Sequence, residues 1–102
     1  MSYQFHPAAA GEHLDSIAFY ESRLVGLGAD YIGEFEATLV RVCAAPMSFP
    51  LDSQPDIHRA GLRRFPFNVL YREVGGVVQI LAVAHHRRRP GYWLGRAELG
   101  AN

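Results

Sequence analysis

Apolar positions change period along this chain, and the change divides it. After a short extended start from Tyr3 to His6, Leu14, Ile17, Ala18, Leu24 and Val25 fall on one helical face, with Glu12, Asp15 and Arg23 off it. Pro7 suits the first turn of that helix, where its missing N–H is no loss. Gly26 and Gly28 break the helix. A second helix is predicted over Asp30 to Ala44, with Ile32, Phe35, Leu39, Val42 and Cys43 as its apolar face and Pro46 as its stop. Two amphipathic helices joined by a tight glycine turn make a helical hairpin. Met47 to Asp56, with Pro50, Pro55, Ser48 and Ser53, reads as a loop.

Beyond it the pattern is extended. Ile57 to Phe65 is a first strand, and Phe67 to Val74 a second, in which Phe67, Val69 and Tyr71 alternate with Asn68, Leu70 and Arg72. Gly75-Gly76 between Val74 and Val77 predicts a two-residue hairpin, because both central positions of a type I′ turn need positive φ. Val77 to His86 is the third strand and the expected centre of the set. Its nearly unbroken apolar run implies burial on both faces. The order β-α-α-β-β-β predicts an α+β fold, a hairpin of helices packed on a small antiparallel sheet, with the other sheet face free as a working surface.

The length of 102 residues allows one domain, residues 1–102, with 94–102 expected as a flexible tail. No apolar run suits a membrane span, and the first residues do not resemble a leader, so a cytoplasmic protein without membrane contact is expected. The one cysteine, Cys43, reads as a buried thiol and fits a reducing compartment. Zero net charge conceals an asymmetry. Residues 1–50 hold two arginines against six acids, and residues 51–102 hold eight against four. All ten basic residues are arginine, whose planar fork pairs phosphate or carboxylate at two points and stays charged near neutrality.

Three segments together resemble the RelE/ParE superfamily of bacterial toxins from toxin–antitoxin pairs, often called plasmid stabilisation proteins. They are AFYESRL (Ala18 to Leu24), GLRRFPFNVLYR (Gly61 to Arg72) and ILAVAHHRRRPGYW (Ile80 to Trp93). The resemblance spans residues 3–96. It implies a growth inhibitor neutralised by a cognate antitoxin, whose flexible C-terminal segment wraps the toxin. ParE-like members inhibit DNA gyrase without cutting RNA; RelE-like members are metal-free ribonucleases that cut mRNA in the ribosome. The long hairpin and the histidine-plus-arginine strand end resemble the ParE-like side, whereas Arg89 and Pro90 stand where an acidic residue often follows the arginine pair.

The third strand runs into His85, His86, Arg87, Arg88 and Arg89, with Tyr92 and Trp93 just beyond. For RNA cleavage, His85 serves as acid or base, Arg64 and Arg72 offset phosphate charge, and Tyr92 stacks on a base or donates a proton. For a protein target, Arg59, Arg63, Arg87, Arg88, Arg89 and Trp93 form the grip, since arginine and aromatic residues dominate such hot spots. His85 shares parity with Gln79, the polar residue of the run, and is therefore assigned to the open face, with His86 towards the helices or the sheet end. Blander readings stand beside these: a solvated strand end for the arginines, a hydrogen-bonded sheet-end imidazole for His85, a core cap for Trp93, core packing for Tyr71. The five histidines lack metal-ligand spacing, so neither metal nor cofactor is expected.

Overall fold

A computed structural model describes the backbone of residues 1–100 and the side chains of residues 1–97. The elements are strand β1 (Ser2–Phe5), helix α1 (Pro7–Arg23), helix α2 (Leu27–Ala44), a 3₁₀ turn (Pro46–Ser48), strands β2 (Leu51–Ser53), β3 (Ile57–Gly61), β4 (Phe67–Val74) and β5 (Val77–His85), and helix α3 (Leu94–Gly100). The α+β class and the helical hairpin are as the sequence predicts. The sheet is larger than expected: five strands in the order β1-β5-β4-β3-β2. The opening strand pairs parallel to β5, which makes the sheet mixed rather than purely antiparallel. β4 therefore holds the centre, with β5 between it and β1.

The two halves of the hairpin are built differently. On α2 the apolar stripe behaves as predicted: Tyr31, Phe35, Leu39 and Val42 are buried with Thr38, and Ile32 and Cys43 are partly buried. On α1 the expected stripe is not the buried one. Leu14 is 65 % exposed, Leu24 and Val25 follow the helix end, and Ala9 and Ser16 are the buried positions. The inner face runs Ala9, Glu12, His13, Ser16 and Tyr20. Small and polar side chains bring α1 close to its neighbours, the His13 ring lies tilted against Phe35 (4.1 Å between centroids), and of the expected stripe Ile17 keeps a partly buried contact with the core. Gly28 belongs to α2 rather than to the turn. A Cβ there would lie 3.0 Å from the Ile17 carbonyl oxygen, so its absence sets how closely the helices cross. The turn itself is made by Gly26 at φ +91°, and the Glu21 carboxylate accepts the N–H groups of Gly26 and Gly28.

The β4–β5 hairpin forms as expected, with Gly75 and Gly76 both at positive φ and Val74 opposite Val77. Against the helices the sheet presents Phe67, Val69, Tyr71, Val78, Ile80 and Val83. Tyr71 is fully buried and donates its hydroxyl to the Pro46 carbonyl at 2.6 Å, which is the core role expected of it.

The opposite face is not free. Ile57, Leu70, Leu81, Ala82, Ala84 and Trp93 form a second apolar cluster there, with Tyr92 and Ala97 packed against it. The segment after β5 folds back over this face. Where the sequence reads a tail from residue 94, the chain forms α3, and Arg96 reaches into the interior. Residues 101 and 102 lie outside the described residues.

Candidate functional site at the end of strand β5

One irregularity in the ladder governs this site. Leu70 pairs with Ala82 but Tyr71 pairs with Ile80, so Leu81 is an extra residue on β5. A bulge of one residue exchanges the faces of everything after it. Before the bulge Val78 and Ile80 face the helices; after it Val83 and His85 do, opposite Val69 and Phe67. The parity that ties His85 to Gln79 fails at Leu81, and the assignment of His85 to the open face is corrected accordingly. Its imidazole meets the edge of the Phe67 ring at 5.0 Å. It borders a cleft of about 250 Å³ against α1, lined also by Asp15, Ser16, Phe19 and Tyr20.

The Nδ1 atom of His85 accepts the Arg87 N–H at 3.0 Å. The neutral ring then carries its proton on Nε2, and its lone pair is already engaged. Burial, the nearby Arg87 charge and His86 all push its pKa down. His86 is exposed, its N–H bonded to the Pro66 carbonyl at 2.8 Å. It borders a hollow of about 240 Å³ with Arg59, Asn68, Arg88 and Tyr92.

The predicted arginines do not form one platform. Arg87, Arg88 and Arg89 are exposed at the strand end. Arg88 lies over the Tyr92 ring at 3.9 Å, a cation–π contact that fixes its direction. Arg59 reaches the same hollow from β3, 3.7 Å from the Asp52 carboxylate. Arg72 is withdrawn: its Nε donates to Gln79 Oε1 at 2.8 Å and its Nη2 to the Ala97 carbonyl at 2.7 Å, beneath α3. Arg63 and Arg64 stand beside α2, where their backbone N–H groups grip the Glu34 carboxylate, and Arg64 lies 3.7 Å from Asp30. Trp93 is 3 % exposed, a cap on the second apolar cluster and no surface anchor.

Glu12 is the residue that sequence reasoning missed. Its carboxylate accepts two N–H groups of Arg96 (2.9 and 3.0 Å), the Tyr92 hydroxyl (2.6 Å) and the Val83 N–H (3.0 Å). Burial by itself would raise its pKa, but those hydrogen bonds and the Arg96 charge outweigh it and hold the carboxyl low. Burial, then the hydrogen bond and charge of Glu12, push the Tyr92 phenol up to about 12, and the Glu12 hydrogen bond raises Arg96 against the effect of burial. In sequence Glu12 is one acid off an apparent apolar stripe, and its partners lie 71 to 84 positions away. Among the described residues no His, Cys, Asp and Glu side chains gather to hold a metal, and no helix is long and apolar enough to cross a membrane.

No family model matches the chain, and no curated protein matches it. Solved structures do. One is a chain of the chromosomal ParDE TA system from P. aeruginosa, at TM-score 0.67 and 21% identity, covering 83% of this chain and 95% of that one. Another is the isolated E. coli RelE toxin, at TM-score 0.64 and 20% identity, covering 96% and 97%. The chain has the fold that these two proteins share.

Proposed function

We propose that this chain is the toxin of a bacterial type II toxin–antitoxin pair, that it inhibits growth by gripping DNA gyrase, and that a cognate antitoxin neutralises it in the cytoplasm. The fold supports the toxin reading, since this chain matches nearly the whole length of both RelE and the ParDE chain. The observation that favours a grip over a cut is that the expected acid and base groups are already engaged. His85 Nδ1 holds the Arg87 amide, the Tyr92 hydroxyl is given to Glu12 with its pKa near 12, and Arg72 is tied beneath α3. Metal-free RNA cleavage needs free groups titrating near neutrality. Arg87, Arg88 and Arg89 stand exposed together at the strand end, a set suited to a protein surface.

The runner-up is a ribosome-dependent mRNA endoribonuclease. It is favoured by the hollow at the strand end, which His86 lines together with Arg59 and Arg88. Paired assays separate the two. Gyrase supercoiling should fall with added toxin and recover with the antitoxin, and His85→Ala should leave that inhibition within about two-fold, against the 10²–10⁴ loss expected of a missing general acid or base. Discrete mRNA cuts on ribosomes, with supercoiling untouched, would overturn the gyrase reading.

A further inference from the structure

A second groove lies away from the β5 end, between α2 and the β3–β4 turn. It encloses about 320 Å³ and is lined by Glu34, Ala37, Thr38, Arg41, Arg63 and Arg64. The two sides are fixed to each other by the Glu34 carboxylate, which accepts the backbone N–H groups of Arg63 and Arg64. That contact engages the Glu34 oxygens with backbone N–H groups rather than with the guanidiniums. Arg64 is shared with Asp30 and with the Phe65 ring. Arg41 donates to the Thr38 hydroxyl at 3.3 Å, which orients its fork, and among the described residues neither Arg41 nor Arg63 is in a salt bridge.

We infer that this groove is a carboxylate-binding site that takes an acidic side chain of a partner peptide, held between Arg41 and Arg63. The charge count decides against nucleic acid. Three guanidiniums face the two carboxylates of Asp30 and Glu34. That leaves a surplus of about one charge, enough for a single carboxylate and too little for a backbone that brings one charge per phosphate. The floor is apolar at Ala37. The groove is separate from the strand-end arginines, so the inference stands whether the target is gyrase or RNA.

The test follows arginine side-chain N–H resonances by NMR in the whole protein. The probes are a short capped peptide of alternating Glu and Leu, the same peptide with Gln for Glu, and a single-stranded oligonucleotide of equal charge. The Glu peptide should shift Arg41 and Arg63 saturably, and the Gln peptide should not. Arg41→Gln and Arg63→Gln should each weaken binding about ten-fold with the circular dichroism unchanged. No saturable shift, equal response to the Gln peptide, or stronger binding of the oligonucleotide at this groove would each overturn the inference. Arg87→Gln, outside the groove, should leave peptide binding as it was. Gyrase and mRNA assays on these variants read the proposed function separately.

Discussion

Glu12→Gln tests the centre of the molecule. The substitution keeps the size of the side chain and removes the charge that Arg96 bonds at two points and that Tyr92 and Val83 also address. Breaking one side of a buried ion pair costs about 3–5 kcal/mol, because the other charge is left unpaired. The Arg96 and Glu12 side chains keep 18% and 17% exposure, so water recovers part of that. The expected loss is about 2–3 kcal/mol. In a domain of this length each kcal/mol moves the melting temperature by about 4–8 °C, which puts the drop at about 10–20 °C. Urea unfolding of wild type, Glu12→Gln, Arg96→Met and the double variant completes a cycle, in which the coupling should be at least about 1 kcal/mol. Because the folded state holds Glu12 below its ordinary pKa, this stability is fully present above the ordinary carboxylate range. It is lost as pH falls through the lowered value, so the gap between wild type and variant should close in acid. A loss under about 0.5 kcal/mol, typical of an exposed pair, or additive single effects, would refute the reasoning.

Other outcomes follow from the same geometry. His13 is packed among Phe5, Tyr31 and Phe35, and burial lowers its pKa; stability should therefore fall as pH drops below the ordinary histidine value, and His13→Phe should flatten that dependence in urea titrations at mildly acidic and neutral pH. Gly28→Ala should destabilise by about 1–3 kcal/mol by forcing the helices apart, whereas Gly33→Ala, with open space around it in the same helix, should stabilise by about 0.5–1 kcal/mol in thermal melts. Trp93→Ala should cost about 3–5 kcal/mol by chemical denaturation, because the ring is buried rather than offered to a partner. Replacing Arg87 and Arg89 together with Gln should sharply weaken supercoiling inhibition while leaving the melting temperature within about 8 °C, since surface changes away from packed groups stay near ±0.5 kcal/mol each.

The features legible in the sequence were those decided locally. The Gly75-Gly76 turn, the α2 stripe and the buried run of β5 each follow from a few neighbouring residues. The α1 face was not legible, because its burial depends on what it packs against. A helix that must approach closely hides Ala9, Glu12 and Ser16 and leaves Leu14 and Phe19 outside. The site was legible as a set of residues but not as an arrangement. His85, Arg59 and Arg88 do gather near one strand end, yet Arg63 and Arg64 are drawn to α2 by Glu34, and Arg72 is taken up by Gln79 and α3. Each of those diversions is a contact with a distant segment, invisible to spacing. The parity of His85 failed for a smaller reason: alternation along a strand assumes an unbroken ladder, and nothing in the composition of an apolar run marks where a ladder skips.

That skip gives the strand an addressing function. Leu81 acts as a frame-shift inside the sheet: upstream positions keep their faces, and every downstream position is re-addressed. Deleting this single leucine would return β5 to a regular ladder with the pairings on both sides unchanged, so His85 would stay opposite Phe67 and only one apolar side chain of the second cluster would be lost. The inserted residue thus lets one strand deliver two consecutive apolar side chains, Leu81 and Ala82, to the same cluster without disturbing the ladder on either side.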